Sequence, residues 1–175
     1  HVANTVTAFK NRGLDSSFAA AYFPDTIVVD PNPDIATNVR VPPSVSVLGA
    51  FSLNDAVGHP WFAPAGFTRG RFAGVNDIAV IPQQKHRDQL YKININPVTQ
   101  FPGEGFVSFG QKTMFKKPSA FDRINVRRLF LWLEKLVRKT MRFYVFEPNT
   151  LLTRTSVLNV LTPEFERVKN DQGMY

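Results

Sequence analysis

Ten of the 13 prolines fall between residues 24 and 102. Each proline fixes φ and removes a backbone donor, so long regular elements are disfavoured across this stretch. Short elements and extended connections must fill it instead. Phe51, Trp61, Phe62 and Phe67 lie in the same stretch, and rings of that size are costly to leave in water. Residues 30–66 therefore read as an ordered, proline-rich loop packed on a core, with a short helix near Val45–Phe51. The chain can supply that core. It has 175 residues, 43% of them hydrophobic, including 16 Phe and 2 Trp, and its length suits one domain.

Residues 1–14 are mixed and polar, with Gly13 as a breaker. Residues 16–23 read as a buried strand stopped by Pro24, and Ile27–Val29 continues it or starts its neighbour. Pro82 precedes a breaker-free run at residues 83–92, which predicts a short helix. Asn94–Pro102 reads as a turn region and Gly105–Phe109 as a strand. Residues 119–142 give the clearest helix. Ser119 and Asp122 resemble a capping box, and Val126, Leu129, Phe130, Leu133, Leu136, Val137 and Met141 keep a helical apolar rhythm. Phe143–Phe146 reads as a strand closed by Pro148, and residues 150–161 as a further helix. Thr162, Pro163 and Glu164 look like the opening of a last helix, ended by Gly173. The fold class expected is α/β (α+β): a mixed β-sheet flanked by helices, with long proline-rich loops.

The net charge of +7 is unevenly spread. Residues 1–111 carry 8 basic and 8 acidic side chains; residues 112–142 carry 10 and 2; residues 143–175 carry 3 and 4. The whole excess lies around one helix, on Arg123, Arg127, Arg128, Lys135, Arg138, Lys139 and Arg142, preceded by Lys112, Lys116 and Lys117. Pattern alone leaves three readings open: a solvated face, a nucleic-acid contact, or a contact with an acidic protein. No helix-turn-helix, zinc-finger or ribonucleoprotein motif accompanies the charge.

Catalytic chemistry finds little support. There are no cysteines, which removes disulfides, thiolate metal sites and a cysteine nucleophile. His1, His59 and His86 are scattered. Asp55, Asp77, Asp88, Glu104 and Glu147 form no recognisable acid–base pattern. Gly105–Thr113 approaches a phosphate-binding loop, but Gln111 pushes Lys112 and Thr113 out of register, and the intervening residues are apolar like a strand. No apolar run approaches the roughly 18 residues that a membrane span needs.

Several segments, in order, resemble the contractile tail sheath proteins of myovirus-type phages. Phe121–Phe130 is similar to the family's Asn-Val-Arg-Arg-Leu segment. Ser17–Pro24 is similar to its Ser-Tyr-Ala-Ala-x-Tyr-x-Pro stretch. Val41–Ser44 through Gly49 and Asp55, then Trp61–Gly66, resemble its proline-rich middle. Leu90-Tyr91 with Ile95–Val98 resembles its Asn-Pro turn, Gly105–Thr113 its Gly-x-x-x-x-Gly-x-x-Thr strand, and Phe143–Asn149 its Phe-Glu-x-Asn strand end.

The resemblance implies a single sheath-forming domain over residues 1–175, from the C-terminal region of the sheath protein, cut at both ends and lacking its terminal linking strands. It implies a structural subunit, not an enzyme, with no cofactor, metal or small-molecule substrate. Its partners would be further copies in stacked rings, the tail tube protein, and the baseplate and tail terminator proteins, without membrane insertion or direct nucleic-acid contact. It would be assembled in the host cytoplasm, reside in the virion tail, and contract to drive the tube through the host envelope for genome ejection. The same resemblance allows a tailocin or type VI-like secretion sheath. It suggests that the basic residues face acidic tube or neighbouring sheath surfaces, with Arg127 and Arg128 alternatively paired inside the fold. Pro163 departs from the continuous helix expected of relatives. A basic nucleic-acid-binding module is the reading from a different class.

Overall fold

The computed structural model describes residues 2–32 and 37–174; expectations touching His1, Pro33 and Tyr175 lie outside them. The chain divides into two compact units, residues 1–127 and residues 128–175.

The first unit holds two three-stranded sheets. In one, β5 (Ile95–Phe101) is central, parallel to β1 (Ala21–Phe23) and antiparallel to β6 (Gly105–Ser108). In the other, β2 (Thr26–Val29) lies between β3 (Asn38–Val41) and β4 (Val75–Ile78), antiparallel to both. Strand side chains alternate between faces, and β5 uses both. Ile95 packs with Val2 of α1 (Val2–Asn11) and Leu90 of α4 (Gln84–Lys92). Val98 packs with Val47 and Ala50 of α2 (Pro43–Val57), and with Phe72 and Ile78. A short α3 (Gly66–Arg69) precedes Phe72. Helices thus cover both faces of the mixed sheet, the α/β layering expected.

Several local expectations are corrected. Asn94–Pro102 is not a turn but the central strand β5. Pro97 sits opposite Phe23 at the end of the β1 ladder and just beyond the Val98–Ser108 pair of the β6 ladder. Its carbonyl still accepts the Phe109 N–H at 2.8 Å, so its missing donor costs one bond at a ladder end. The helix near Val45–Phe51 extends to Val57, because Pro43 takes the first turn, where no donor is needed. Residues 38–41, read as loop, form the exposed edge strand β3. The strand expected over residues 16–23 shrinks to β1, with Phe18 exposed. Residues 2–11, read only as part of a mixed and polar stretch, form α1; Val2, Val6 and Phe9 share its buried face.

α5 (Ile124–Met141) follows a 3-10 turn at Ala120–Asp122, whose cap is Ser119; its Oγ accepts the Phe121 N–H at 3.1 Å. Beyond it, residues 142–144 form another 3-10 turn and residues 145–146 no strand. α6 (Leu151–Asn170) is capped by Thr150 and runs unbroken through Pro163, so Thr162 opens no new helix. Pro163 and Asn159, whose carbonyl it deprives of a helical donor, are both exposed, so water can take that acceptor. At its end Gln172 adopts a φ of 60° and Gly173 N–H donates to the Val168 carbonyl at 2.7 Å, a two-residue C-terminal cap.

Candidate interaction surface

The basic helix begins at a hydrogen-bonded hub within the first unit. Asn96, fully buried on β5, donates to the carbonyls of Ala21 (3.1 Å) and Lys112 (2.8 Å) and accepts the Lys112 N–H at 2.7 Å. A Cβ on Gly110 would lie 2.8 Å from Asn96 Oδ1, so only glycine permits this approach. Thr113 is buried; its N–H donates to the Asp122 carbonyl at 2.9 Å and its Oγ1 to the Phe121 carbonyl at 2.8 Å. Ile124 N–H donates to the Gln111 carbonyl at 2.8 Å and Met114 N–H to the Ala19 carbonyl at 2.8 Å. The stretch that resembled a phosphate loop therefore laces β1, β5 and the start of α5 together. The amides of Ser108, Phe109, Lys112 and Thr113 are spent on the protein itself.

Charges at this end of the helix are drawn into the same hub. Arg123 Nη1 donates to Tyr91 Oη at 2.8 Å, and its Nε lies 3.2 Å from Asp122 Oδ1. Lys112 Nζ donates to the Tyr91 carbonyl at 3.0 Å and sits 4.2 Å from the centre of the Tyr91 ring. Burial holds the Lys112 amine below its usual pKa; the Arg123 charge pushes the same way and Asp122 opposes it. Arg127 donates to Ser17 Oγ at 2.5 Å and lies 4.3 and 4.2 Å from the rings of Phe18 and Phe121. Its partners are a hydroxyl and two aromatic faces, not the carboxylates expected for internal pairing.

The second unit presents the remaining charges. Arg128 is half-buried and has partners of its own. Lys135, Arg138, Lys139 and Arg142 are exposed; the first three share one face of α5 at i, i+3 and i+4, and Arg142 opens the 3-10 turn that follows it. Arg138 pairs with Glu134 at 2.7 Å. Lys135, Lys139 and Arg142 have no ion-pair partner among the described residues. The inward face carries Leu129, Leu133, Leu136 and Val137, while Phe130 and Met141, expected inside, are exposed.

The seven basic residues therefore divide. Arg123 and Arg127 fasten the helix to its own unit, and the last four form a cationic stripe. Exposed charges of this kind attract an acidic surface weakly and release it readily in salt. The carboxylates considered for catalysis are dispersed over α2, β4, α4 and two loops, with Glu104 paired to Arg71. Among the described residues no three His, Cys, Asp or Glu gather to hold a metal, and no helix is long and apolar enough to cross a membrane. Sequence reasoning missed the Asn96 hub. Its signals were Asn-Pro inside a β-branched run and a glycine beside Lys112.

No family model matches the chain. Comparison with individual proteins is decisive. The tail sheath protein of Vibrio phage KVP40 is 43% identical over 138 residues, covering 79% of this chain and 21% of that protein. The tail sheath protein of Enterobacteria phage T4 is 38% identical over 146 residues, covering 83% and 22%. Among solved structures, the helical sheath of the anti-feeding prophage in its contracted state matches with a TM-score of 0.76 and 28% identity, over 89% of this chain and 41% of that one. The contracted sheath complex of an extracellular contractile injection system gives a TM-score of 0.84 at 24% identity, over 98% and 46%, a likeness of fold. The fold is thus that of contractile sheath subunits. The chain belongs to the contractile tail sheath family, and it spans about a fifth of the length of the curated relatives it matches.

Proposed function

We propose that this chain is the sheath-forming part of a contractile phage tail sheath subunit with a mechanical, non-catalytic role. The observation that carries the reading is the 43% identity over 79% of the chain to a protein named as a tail sheath. The subunit stacks with further copies around a tail tube, joins the baseplate and the tail terminator, and resides in the virion tail. Contraction then drives the tube through the host envelope. Charge supports a role for α5 in this assembly: Lys135, Arg138, Lys139 and Arg142 suit an acidic tube or neighbouring sheath surface, because screened attraction holds without locking. Arg128 flanks that stripe, and Arg123 and Arg127 position it.

Electron microscopy of the full-length parent protein, alone and with its tube protein, tests the reading. Hollow tubes or sheathed tubes are the expected result; monodisperse particles in both samples overturn it. Lys135→Glu with Lys139→Glu should weaken assembly on the tube and flatten its salt dependence. Unchanged assembly removes the stripe from the interface. A second reading, a tailocin or injection-system sheath, draws on the injection-system likeness. Capsid genes beside the parent gene separate the two.

A further inference from the structure

A cavity of about 500 Å³ opens in the first unit, well apart in sequence from the exposed stripe of α5. Phe9, Leu14, Ile93, Met114 and Phe115 supply the apolar part of its lining. Four lysines line it: Lys10 in the last turn of α1, Lys92 in the last turn of α4, and Lys112 and Lys116 on the strap that leaves the hub. Asp122 is the one carboxylate among its lining residues, and Arg123 already holds it at 3.2 Å. Lys10, Lys92 and Lys116 are exposed. Their amines have no hydrogen-bond or ion-pair partner among the described residues. Lys112 is half-buried and turned onto Tyr91.

We propose that this cavity is a second docking site, for a short acidic segment of a protein that carries an apolar side chain beside its carboxylates. Two features select that chemistry. The rim is cationic and largely unpaired, so it favours an anion. Part of the lining is apolar, so it rewards a side chain that leaves water. The last turns of α1 and α4 at the cavity carry partial negative charge, which offsets part of the attraction and weighs most against a multiply charged anion. No arginine is among the lining residues, so the cavity lacks the bidentate fork that suits a dense phosphate charge. Carboxylates on a peptide, each of single charge and spaced along a chain, match separate lysine amines better. The site goes beyond the sheath reading and uses none of the residues assigned to the tube.

The test is an amide chemical-shift titration of the isotope-labelled chain with a blocked tetrapeptide, leucine–aspartate–phenylalanine–glutamate. Saturable shifts at Leu14, Ile93 and Met114 are expected. Lys92→Glu with Lys116→Glu should weaken binding about tenfold, while Lys92→Arg with Lys116→Arg should retain it. Lys135→Glu with Lys139→Glu should leave it unchanged. Equal binding of the asparagine–glutamine version of the peptide overturns the proposal. So does absence of shifts at the cavity, or loss of binding in the α5 variant. Displacement of the peptide by inorganic phosphate or a short DNA duplex at lower concentration overturns it in favour of a phosphate ligand.

Discussion

The two units differ in how far they close an apolar interior of their own. Residues 1–127 close two clusters of their own, one on each face of the β1–β5–β6 sheet, and seal the polar interior with the Asn96 hub. In residues 128–175 the buried apolar side chains among the described residues are Leu129, Leu161 and Val168. Phe143, Phe146 and Leu151 are 81%, 99% and 81% exposed. Exposed apolar runs of that density characterise surfaces that other chains cover. The comparison teaches a division of labour: the first unit is specified by its own interior, and the second offers cationic and apolar surface outward.

The sharpest attempt to break this contrast is Asn96→Ala. It strands the Lys112 N–H and two carbonyls in a buried site, so urea unfolding should show a loss of about 3 kcal/mol or more. A loss under about 1 kcal/mol would falsify the hub as the organising feature. Gly110→Ala forces its new Cβ against Asn96 and should cost about 1–3 kcal/mol by the same measurement. Phe143→Ser with Phe146→Ser probes the other side of the contrast. Stability should move by less than about 0.5 kcal/mol, while self-association of the parent protein, followed by sedimentation, declines. A large stability loss there would mean the second unit buries these rings after all.

The smallest effect concerns Lys112. Its folded pKa lies below the usual 10.5, so above the folded value the unfolded chain binds more protons and stability rises with pH toward 10.5. Below the folded value the burial penalty on the charged amine is fully present. From pH 8 to pH 10 the native chain should therefore gain stability relative to Lys112→Gln, read as a rise in its urea midpoint against that of the variant. A constant difference removes the burial effect.

Legibility in the sequence followed the range of the interactions involved. α4 and β6 were readable because proline, glycine and apolar patterning act over a few neighbours. α5 was readable because charge and apolar residues separate at helical spacing over 18 residues. β5 was misread because Asn96 and Pro97 look like turn residues until the carbonyls of Ala21 and Lys112 are brought to Asn96 from 75 and 16 positions away. The strand expected at Phe143–Phe146 rested on composition, and among the described residues of the second unit no strand pairs with it. α1 carried a legible signal in Val2, Val6 and Phe9, obscured by the polar residues between them.

The basic residues show the same limit most plainly. Sequence alone determined that the charge excess is confined to residues 112–142, and the order of its motifs pointed to the sheath family. Both are properties of the chain's linear pattern. Only the tertiary structure decided that Arg127 is spent on Ser17, Phe18 and Phe121, 110 to 6 positions away, while Lys135, Lys139 and Arg142 remain open to a partner. A side chain's charge is fixed by its chemistry. Whether that charge is available depends on which groups folding brings within a few ångströms, and residues distant in sequence supply those groups.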